Sequence, residues 1–525
     1  MSTPRFHVAR IALAVAVTAG AAAPLASQAQ SAAAAPRVVV SYQAGSGPAV
    51  LAAIARLGGR VTDDLSEVNA VAITIPAKKM AALKLVRGVE FVEGEIIRRI
   101  QGGRVLPGHK RIQAVGGQTV PYGISQVQAD QLPALPSGSS GKKVCIIDSG
   151  IDGTHEDLVG LTMSGKNYTT SGSWNTDEGA HGTHVAGTIA AVDNTLGVVG
   201  VAGGKQLPLY ISKVFDASGS ASSITVAKGM IGCLVSRSNV VSMSLGSSSP
   251  SNIEKKVLDA LEARGALLVA AAGNDGTSAL HYPASFPNVI SVAANDDTES
   301  WATFSQFNAE VDISGPGVAV LSTVPPNVLT MGVLTVNGGA YSVQAMTGSP
   351  VLSATGPLAD FGFGDTPAAG SMTGKVCLIS RGNISFADKV LNCQSSGGLG
   401  AVIYNNVAGD LFGTLGDAAT TIPSVGATQA DGLTMLGQVG LSATVGIVPD
   451  PAKYQYFSGT SMATPHVSAV AALVWSHFPS CTAAQIRTRM EATAKDIGDV
   501  GRDDKTGMGL VQAKAMYDAI KNGGC

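Results

Sequence analysis

Ser461 stands in "FSGTSMATPHV" (457–467), between a small-residue turn and the start of a helical run. A serine in that place commonly does no more than accept free backbone N–H groups of a first helical turn. To act as a nucleophile it needs a base, a group that orients the base, and donors for an oxyanion. Two other stretches offer the first two. "KKVCIIDSGIDGTHEDL" places Asp148 at the end of an apolar strand, and parallel sheets gather their active sites at that carboxyl edge. "DEGAHGTHVAGTIAA" puts His181 at the mouth of a small-residue helix, with His184 one turn on. The two histidines invite a metal reading, but no HExxH motif accompanies them.

The elements that must hold these residues follow from hydrophobic patterning. From 118 onward, apolar strands ("KKVCIID", "PLYISKVF", "NVVSMSLG", "ALLVAAAG", "NVISVAA") alternate with helical stretches, which predicts a parallel sheet covered on both faces. The alternation breaks near 330. Up to about 450 the text is rich in Gly and Thr with short strands ("GKVCLIS", "GAVIYNN", "IPSVGAT"), the pattern of an inserted domain, before α/β character resumes at "YQYFSGTSMATPHVSAVAALVW". Ahead of the main sheet, residues 37–100 read β-α-β-α-β: "RVVVSY", "GPAVLAAIARLGG", "AVAITIP", "AKKMAALKLVRG" and "VEFVEGE". That order suits a small antiparallel sheet with helices on one face. A Gly-, Pro- and Arg-containing stretch at 101–117 reads as an exposed linker.

Composition narrows the class of protein. The 525 residues, 45% of them hydrophobic, are enough for two to four domains. With 35 basic against 37 acidic residues and no basic stripe, nucleic acid is not an expected partner. Residues 1–29 carry Arg5 and Arg10, an apolar stretch from Ile11 to about Ala23, and small residues before a cleavage point at Ala29, a secretory signal. The apolar stretch is too short and Ala-rich to span a bilayer, so no membrane is expected once the signal is removed. Secretion, with passage through a periplasm where the cell has one, permits disulfides among Cys145, Cys233, Cys377, Cys393, Cys481 and Cys525. Proximity favours Cys377 with Cys393, and position at the tail favours Cys481 with Cys525. Cys145 and Cys233 are open to pairing or to a role as buried thiols.

The order Asp, His, Ser in three motifs, "IIDSGID" (146–152), "HGTHVAGT" (181–188) and "GTSMATPHV" (459–467), resembles the subtilisin-like serine proteases. An α/β-hydrolase would need GxSxG and the order Ser, Asp, His, whereas Ala463 replaces the second Gly here. The resemblance implies a parallel-sheet catalytic domain over 118–334 and 449–525. Asp148, His181 and Ser461 would be its catalytic triad, acting on protein and peptide substrates. It assigns the oxyanion to the Asn274 side chain, in "LLVAAAGNDGT", and to the Ser461 N–H. A substrate would lie as an added strand beside Ser244, Leu245 and Gly246, with Ala271, Ala272 and Gly273 as the other wall. His281 stands where relatives often carry glycine at the pocket floor.

Three further expectations come from the same resemblance. Residues 37–100 are similar to an inhibitor-type α+β propeptide, an intramolecular inhibitor released by cleavage between about 100 and 117. Residues 335–448 resemble a β-rich protease-associated (PA) domain. "AAVDNTLGVVG" (190–200) resembles a structural calcium loop. Its ligands would be side chains of Gln118, Asp157 and Asn194 and carbonyls of Val192, Leu196 and Val198, six oxygens suited to a hard cation. The mature enzyme is expected to be a monomer.

Overall fold

The computed structural model describes residues 35–101, 117–136, 141–203 and 207–525. The signal at 1–29 and all but the ends of the 101–117 linker lie outside the described residues. The first module comprises β1 (Arg37–Tyr42), α1 (Gly47–Arg56), β2 (Arg60–Leu65), β3 (Ala70–Thr74), α2 (Met80–Lys84) and β4 (Val89–Gly94). They form an antiparallel sheet in the order β2-β3-β1-β4. Strand β2, "RVTDDL", was not among the expected strands. It is a mostly exposed edge, so it carries little apolar alternation to betray it.

Period-2 alternation gives this small sheet two working faces. Val38, Val40, Val71 and Ile73 pack under α1 and α2, through Val50, Ile54 and Leu83. Val39, Ala70 and Ala72 point the other way and join a cluster that belongs to the next domain. After β4 the chain continues into β5 (Ile97–Ile100), which leaves the module.

The main body follows: α3 (Tyr122–Gln126), β6 (Val144–Asp148), β7 (Met163–Asn167), α4 (His181–Ala190), β8 (Leu209–Lys213), β9 (Ser220–Ser222), α5 (Ser223–Val235) and β10 (Val240–Met243). Then come β11 (Leu245–Gly246), α6 (Asn252–Ala263), β12 (Leu267–Ala271), β13 (Ile290–Asn295), β14 (Ile313–Pro316) and β15 (Val320–Thr323). Seven of these strands make one sheet, β14-β13-β12-β10-β6-β8-β7, with every pairing parallel. The near-continuous apolar strands fit a sheet buried on both faces. Val144 and Ile146 of β6 enter one core, while Cys145 and Ile147 enter the other with residues of α5 and α6.

An inserted unit then interrupts the body. It contains β16 (Thr330–Val336), β17 (Gly339–Tyr341), β18 (Val343–Ala345), β19 (Ser353–Asp360), β20 (Val376–Ser380), α7 (Phe386–Ser395), β21 (Gly400–Tyr404), β22 (Ser424–Ala427), α8 (Gln429–Leu436) and β23 (Ser442–Pro449). Its eight strands form their own sheet, in which β19 to β22 run parallel. The sheet begins at Thr330, a few residues before the boundary read from the sequence. Its ends are clamped together, Asn327 N–H on the Asp450 carbonyl at 2.7 Å and Asp450 N–H on that of Leu329 at 2.8 Å. The chain returns through β24 (Tyr454–Phe457), paired with β15, into α9 (Thr460–His477), and closes with α10 (Ala483–Ala492) and α11 (Ala513–Gly523).

Three disulfides join Cys145 to Cys233, Cys377 to Cys393 and Cys481 to Cys525. The two favoured pairings are present. Of the two roles left open for Cys145 and Cys233, pairing is the one realised, between β6 and α5.

Candidate active site

Asp148 is the last residue of β6, His181 the first of α4 and Ser461 the second of α9. Parallel β6 must end at the sheet's carboxyl edge, and α4 and α9 share the core on one face of that sheet. The turn into α9 depends on Gly459, at φ +153° and ψ 160°, a region that a residue with a Cβ hardly enters. Its N–H donates to the Gly317 carbonyl at 2.9 Å.

His181 Nδ1 lies 2.8 and 3.0 Å from the two carboxylate oxygens of Asp148, with both residues buried. Facing a carboxylate, Nδ1 carries the proton, so Nε2 is the acceptor. Nε2 has no hydrogen-bond partner among the described residues. Ser461 Oγ donates to the Ser244 carbonyl at 3.0 Å rather than to the imidazole, and Ser244 Oγ donates back to the Ser461 carbonyl at 2.9 Å.

Two side chains that the sequence reading passed over hold this pair in place. Ser149 N–H donates to Asp148 at 2.7 Å, and Ser149 Oγ donates to Asp177 at 2.8 Å. Asp177 accepts from the N–H and hydroxyl of Thr183, at 2.8 and 2.6 Å, and so caps the helix that starts with His181. An acid just before a helical run is an N-terminal signal, which was present in "NTDEGAHG".

Asn274 follows β12. Its side-chain oxygen accepts from the N–H and hydroxyl of Thr460, at 2.8 and 2.9 Å, leaving the NH2 end as the remaining donor. The Ser461 N–H is engaged: it donates to the carbonyl of Gln101 at 3.0 Å. Gln101 follows β5, whose Ile100 and Arg99 pair antiparallel with Leu245 and Gly246, while its other edge pairs with β9. Gln101 N–H completes the ladder on the Ser244 carbonyl at 3.2 Å. Thus the expected substrate wall at Ser244, Leu245 and Gly246 does hold an extended strand, and that strand is the chain's own. The Gln101 side chain donates to the Gly246 carbonyl at 3.3 Å.

Ala271, Ala272 and Gly273 leave the end of β12 on the far side of the same cleft. His281 lies between the walls: a Cβ placed on Gly246 would fall 2.2 Å from its Cε1, and one on Gly273 would fall 3.0 Å from its Cγ. Burial pushes this imidazole down to about 4, so it is neutral near pH 7. His184 is a packing residue. Its Nε2 lies 3.0 and 3.1 Å from the carbonyls of Val320 and Gln455, its ring stacks on Phe457, and burial pushes it to about 3.

The residues expected to hold calcium also converge. Gln118 Nε2 donates to the carbonyls of Val192 (2.9 Å) and Val198 (3.4 Å). Asp157 accepts from Asn194 Nδ2 at 3.0 Å and from Val198 N–H at 2.8 Å. Asn194 Oδ1 accepts from Leu196 N–H at 2.9 Å. Among the described residues no three His, Cys, Asp or Glu gather as a metal cluster, and this group holds a single carboxylate.

The model of the subtilase family matches residues 139–351 and 428–509, which take in most of the main body and run into both ends of the inserted unit. The chain belongs to the subtilase family. This subtilase is 40% identical over 239 residues to subtilisin DY of Bacillus licheniformis, spanning 45% of this chain and 84% of that protein. It is 37% identical over 277 residues to subtilisin NAT of Bacillus subtilis subsp. natto, spanning 52% and 68%. The psychrophilic subtilisin-like protease Apa1 of the Antarctic psychrotroph Pseudoalteromonas sp. AS-11 superposes with a TM-score of 0.53 at 39% identity, over 77% of this chain and 99% of that one. Fervidolysin of Fervidobacterium pennivorans, described as keratinolytic, shares the fold at 24% identity and a TM-score of 0.58, over 92% and 61%. The PA domain model matches 347–435, within the inserted unit. This subtilase is a subtilisin-like serine endopeptidase, and no helix among its described residues is long and apolar enough to cross a membrane.

Proposed function

We propose that this subtilase is made as a secreted precursor that cuts itself directly after Gln101 and then hydrolyses other proteins with the same residues. The observation that carries this reading is the Gln101 carbonyl on the Ser461 N–H, at the end of a strand laid along the cleft. His181 Nε2 takes the Ser461 proton as Oγ adds to the carbonyl carbon. The oxyanion is then held by the Ser461 N–H and Asn274 Nδ2. Collapse of that intermediate breaks the C–N bond, the amine leaves with the proton from His181, and an acyl-enzyme remains. Water, deprotonated by His181, adds to the ester, His181 returns that proton to the departing Ser461 Oγ, and the product leaves with a free carboxyl end. Asp148 keeps Nδ1 protonated and stabilises the imidazolium throughout.

Residues 37–100 act as the propeptide. Val39, Leu65, Val68, Ala70 and Ala72 share a core with α5 and α6, and Glu93 receives Ser251 Oγ and Asn252 N–H at the start of α6, both at 2.7 Å. After the cut, these contacts keep β5 in the cleft as an inhibitor until the module is lost. The inserted PA domain screens or holds large protein substrates.

Calcium fits the Gln118–Asp157–Asn194 group if the Gln118 amide turns its oxygen inward, where it would join the Val192 and Val198 carbonyls. Those two carbonyls already share one amide, so the oxygens are assembled. The Leu196 N–H meets Asn194 Oδ1, which holds that residue beside the group. Bound calcium would supply charge that ties the segment at Gln118 to the body, with one carboxylate to oppose it.

Casein hydrolysis by the purified mature enzyme, beside Ser461→Ala and with a serine-directed covalent inhibitor, tests the reading. Activity and labelling confined to the wild type support it. Unchanged activity in Ser461→Ala would overturn it.

A further inference from the structure

We propose that Glu254 makes this protease select arginine at the fourth residue before the bond it cuts. The inference rests on the reading above, in which β5 lies as a substrate does. If Gln101 supplies the carbonyl at Ser461, the residues before it are Ile100, Arg99 and Arg98, and Arg98 is the fourth.

The residues of β5 are held in different ways. Ile97 is exposed, and Arg99 reaches only Ser220 Oγ at 3.3 Å from an exposed position. Arg98 is fully buried. Its Nε donates to Glu254 Oε1 and Oε2 at 2.9 and 3.0 Å, and Nη2 donates to Oε2 at 2.7 Å. Nη1 donates to the Ser249 carbonyl at 2.7 Å and to Ser247 Oγ. Glu254, also fully buried, is held at the first turn of α6, where its N–H meets Ser251 Oγ. Burial raises this carboxyl, against the pull of Arg98.

The groups that receive the guanidinium, Glu254, Ser247 and Ser249, all belong to the enzyme body, so they remain when the propeptide is replaced by another chain, although Ser251 beside Glu254 then loses its contact with Glu93. Its chemistry is that of a guanidinium receptor: a carboxylate facing the fork, with a carbonyl and a hydroxyl at the remaining donors. A lysine there would keep the charge and lose the fork. An alanine or leucine would leave a buried carboxylate unpaired, the costliest mismatch such a site has. The chemical class selected is therefore a basic peptide, with the guanidinium four residues upstream of the cut.

The test uses the mature wild-type enzyme and quenched fluorescent peptides carrying Arg-Arg-Ile-Gln before the cut, with the first residue varied to Lys, Ala or Leu. The expected kcat/KM falls about 10-fold for Lys and on the order of 100-fold or more for Ala and Leu. Cleavage of the Arg and Leu peptides within about 3-fold of each other overturns the proposal. If casein is cut but no peptide of the series is cut after Gln, the register from Gln101 is wrong and the proposal falls with it; if casein also survives, the protease reading itself fails. Glu254→Leu should reverse the preference toward Leu. Because its own Arg98 would then be mismatched, that variant risks not maturing, and Arg98→Leu/Glu254→Leu restores the fit. Maturation of the double variant, with Leu preferred in the peptides, supports the proposal, and a retained preference for Arg contradicts it.

Discussion

Two modules flank or interrupt the catalytic body, and they are attached in opposite ways. The N-terminal module has one face in a core shared with α5 and α6, and the residue after its trailing strand, Gln101, meets the Ser461 N–H. The inserted unit has two apolar clusters of its own, built from residues between Leu334 and Ile447 with none from the body, and it hangs from the clamped ends at Asn327 and Asp450. The first reaches into the cleft; the second is tethered to the body at its two ends. Shared core and strand pairing make a module part of the site, whereas separate cores let a module change without disturbing the site.

The strongest way to break that contrast is Ser461→Ala. Activity should fall by about 10⁶, the size known for the triad of subtilisin, and the precursor should keep its N-terminal module on a denaturing gel. Deleting 330–449 should by contrast leave kcat/KM on short peptides within about 3-fold while changing the preference among large proteins. Equal losses on both would join the insert to the site. Next in size is Cys377→Ser/Cys393→Ser, whose 16-residue separation lies wholly inside the insert. Calorimetry should show the insert losing about 3 kcal/mol of stability, with peptide kinetics unchanged.

The proposed calcium site sharpens the comparison at the segment that begins near Gln118. Excess chelator should lower the melting temperature of the mature enzyme, by an amount set by about 2.7 kcal/mol if free calcium stands at about 100 times Kd. Asp157→Ala should remove most of that sensitivity. The smallest effect concerns the propeptide seam. Burial raises the Asp63 carboxyl, but bonds from Lys228 of α5 and Arg37 outweigh it and hold the group at about 2. Glu90 is held low by Lys256 and Ser41. Carboxylates lowered in the docked state favour docking above their free values, near 4, and lose that contribution as pH falls toward about 2. Dissociation of the cut propeptide, followed by return of peptidase activity, should change little between about pH 5 and 8 and quicken several-fold below about pH 4. Lys228→Met should flatten that response.

The parallel sheet and the place of Asp148 were legible in the sequence because an apolar strand ending in a polar turn announces a sheet's carboxyl edge, whereas His181 and Ser461, at helix starts, were singled out by the resemblance of their motifs. Strand β2 escaped because an exposed edge needs no alternating pattern. The resemblance did point to "EFVEGEIIRRIQGG" (90–103) as a segment running into the active site, but the register that sets Gln101 and Arg98 against Ser244–Gly246 escaped, a contact across more than a hundred residues that no local spacing encodes. Glu254 did leave a trace. It falls in helical phase with Val257, Leu258 and Leu261, the buried face of α6, and an acid on that face calls for a buried partner.

The central claim, that the N-terminal module is held in the cleft as a substrate of the body's own site, meets its most direct test in the mass of the released fragment. Precursor purified intact should, on maturing, yield an N-terminal fragment whose last residue is Gln101, and Ser461→Ala precursor should yield none. A fragment ending elsewhere in the chain, or the same fragment from Ser461→Ala in isolation, would contradict the account.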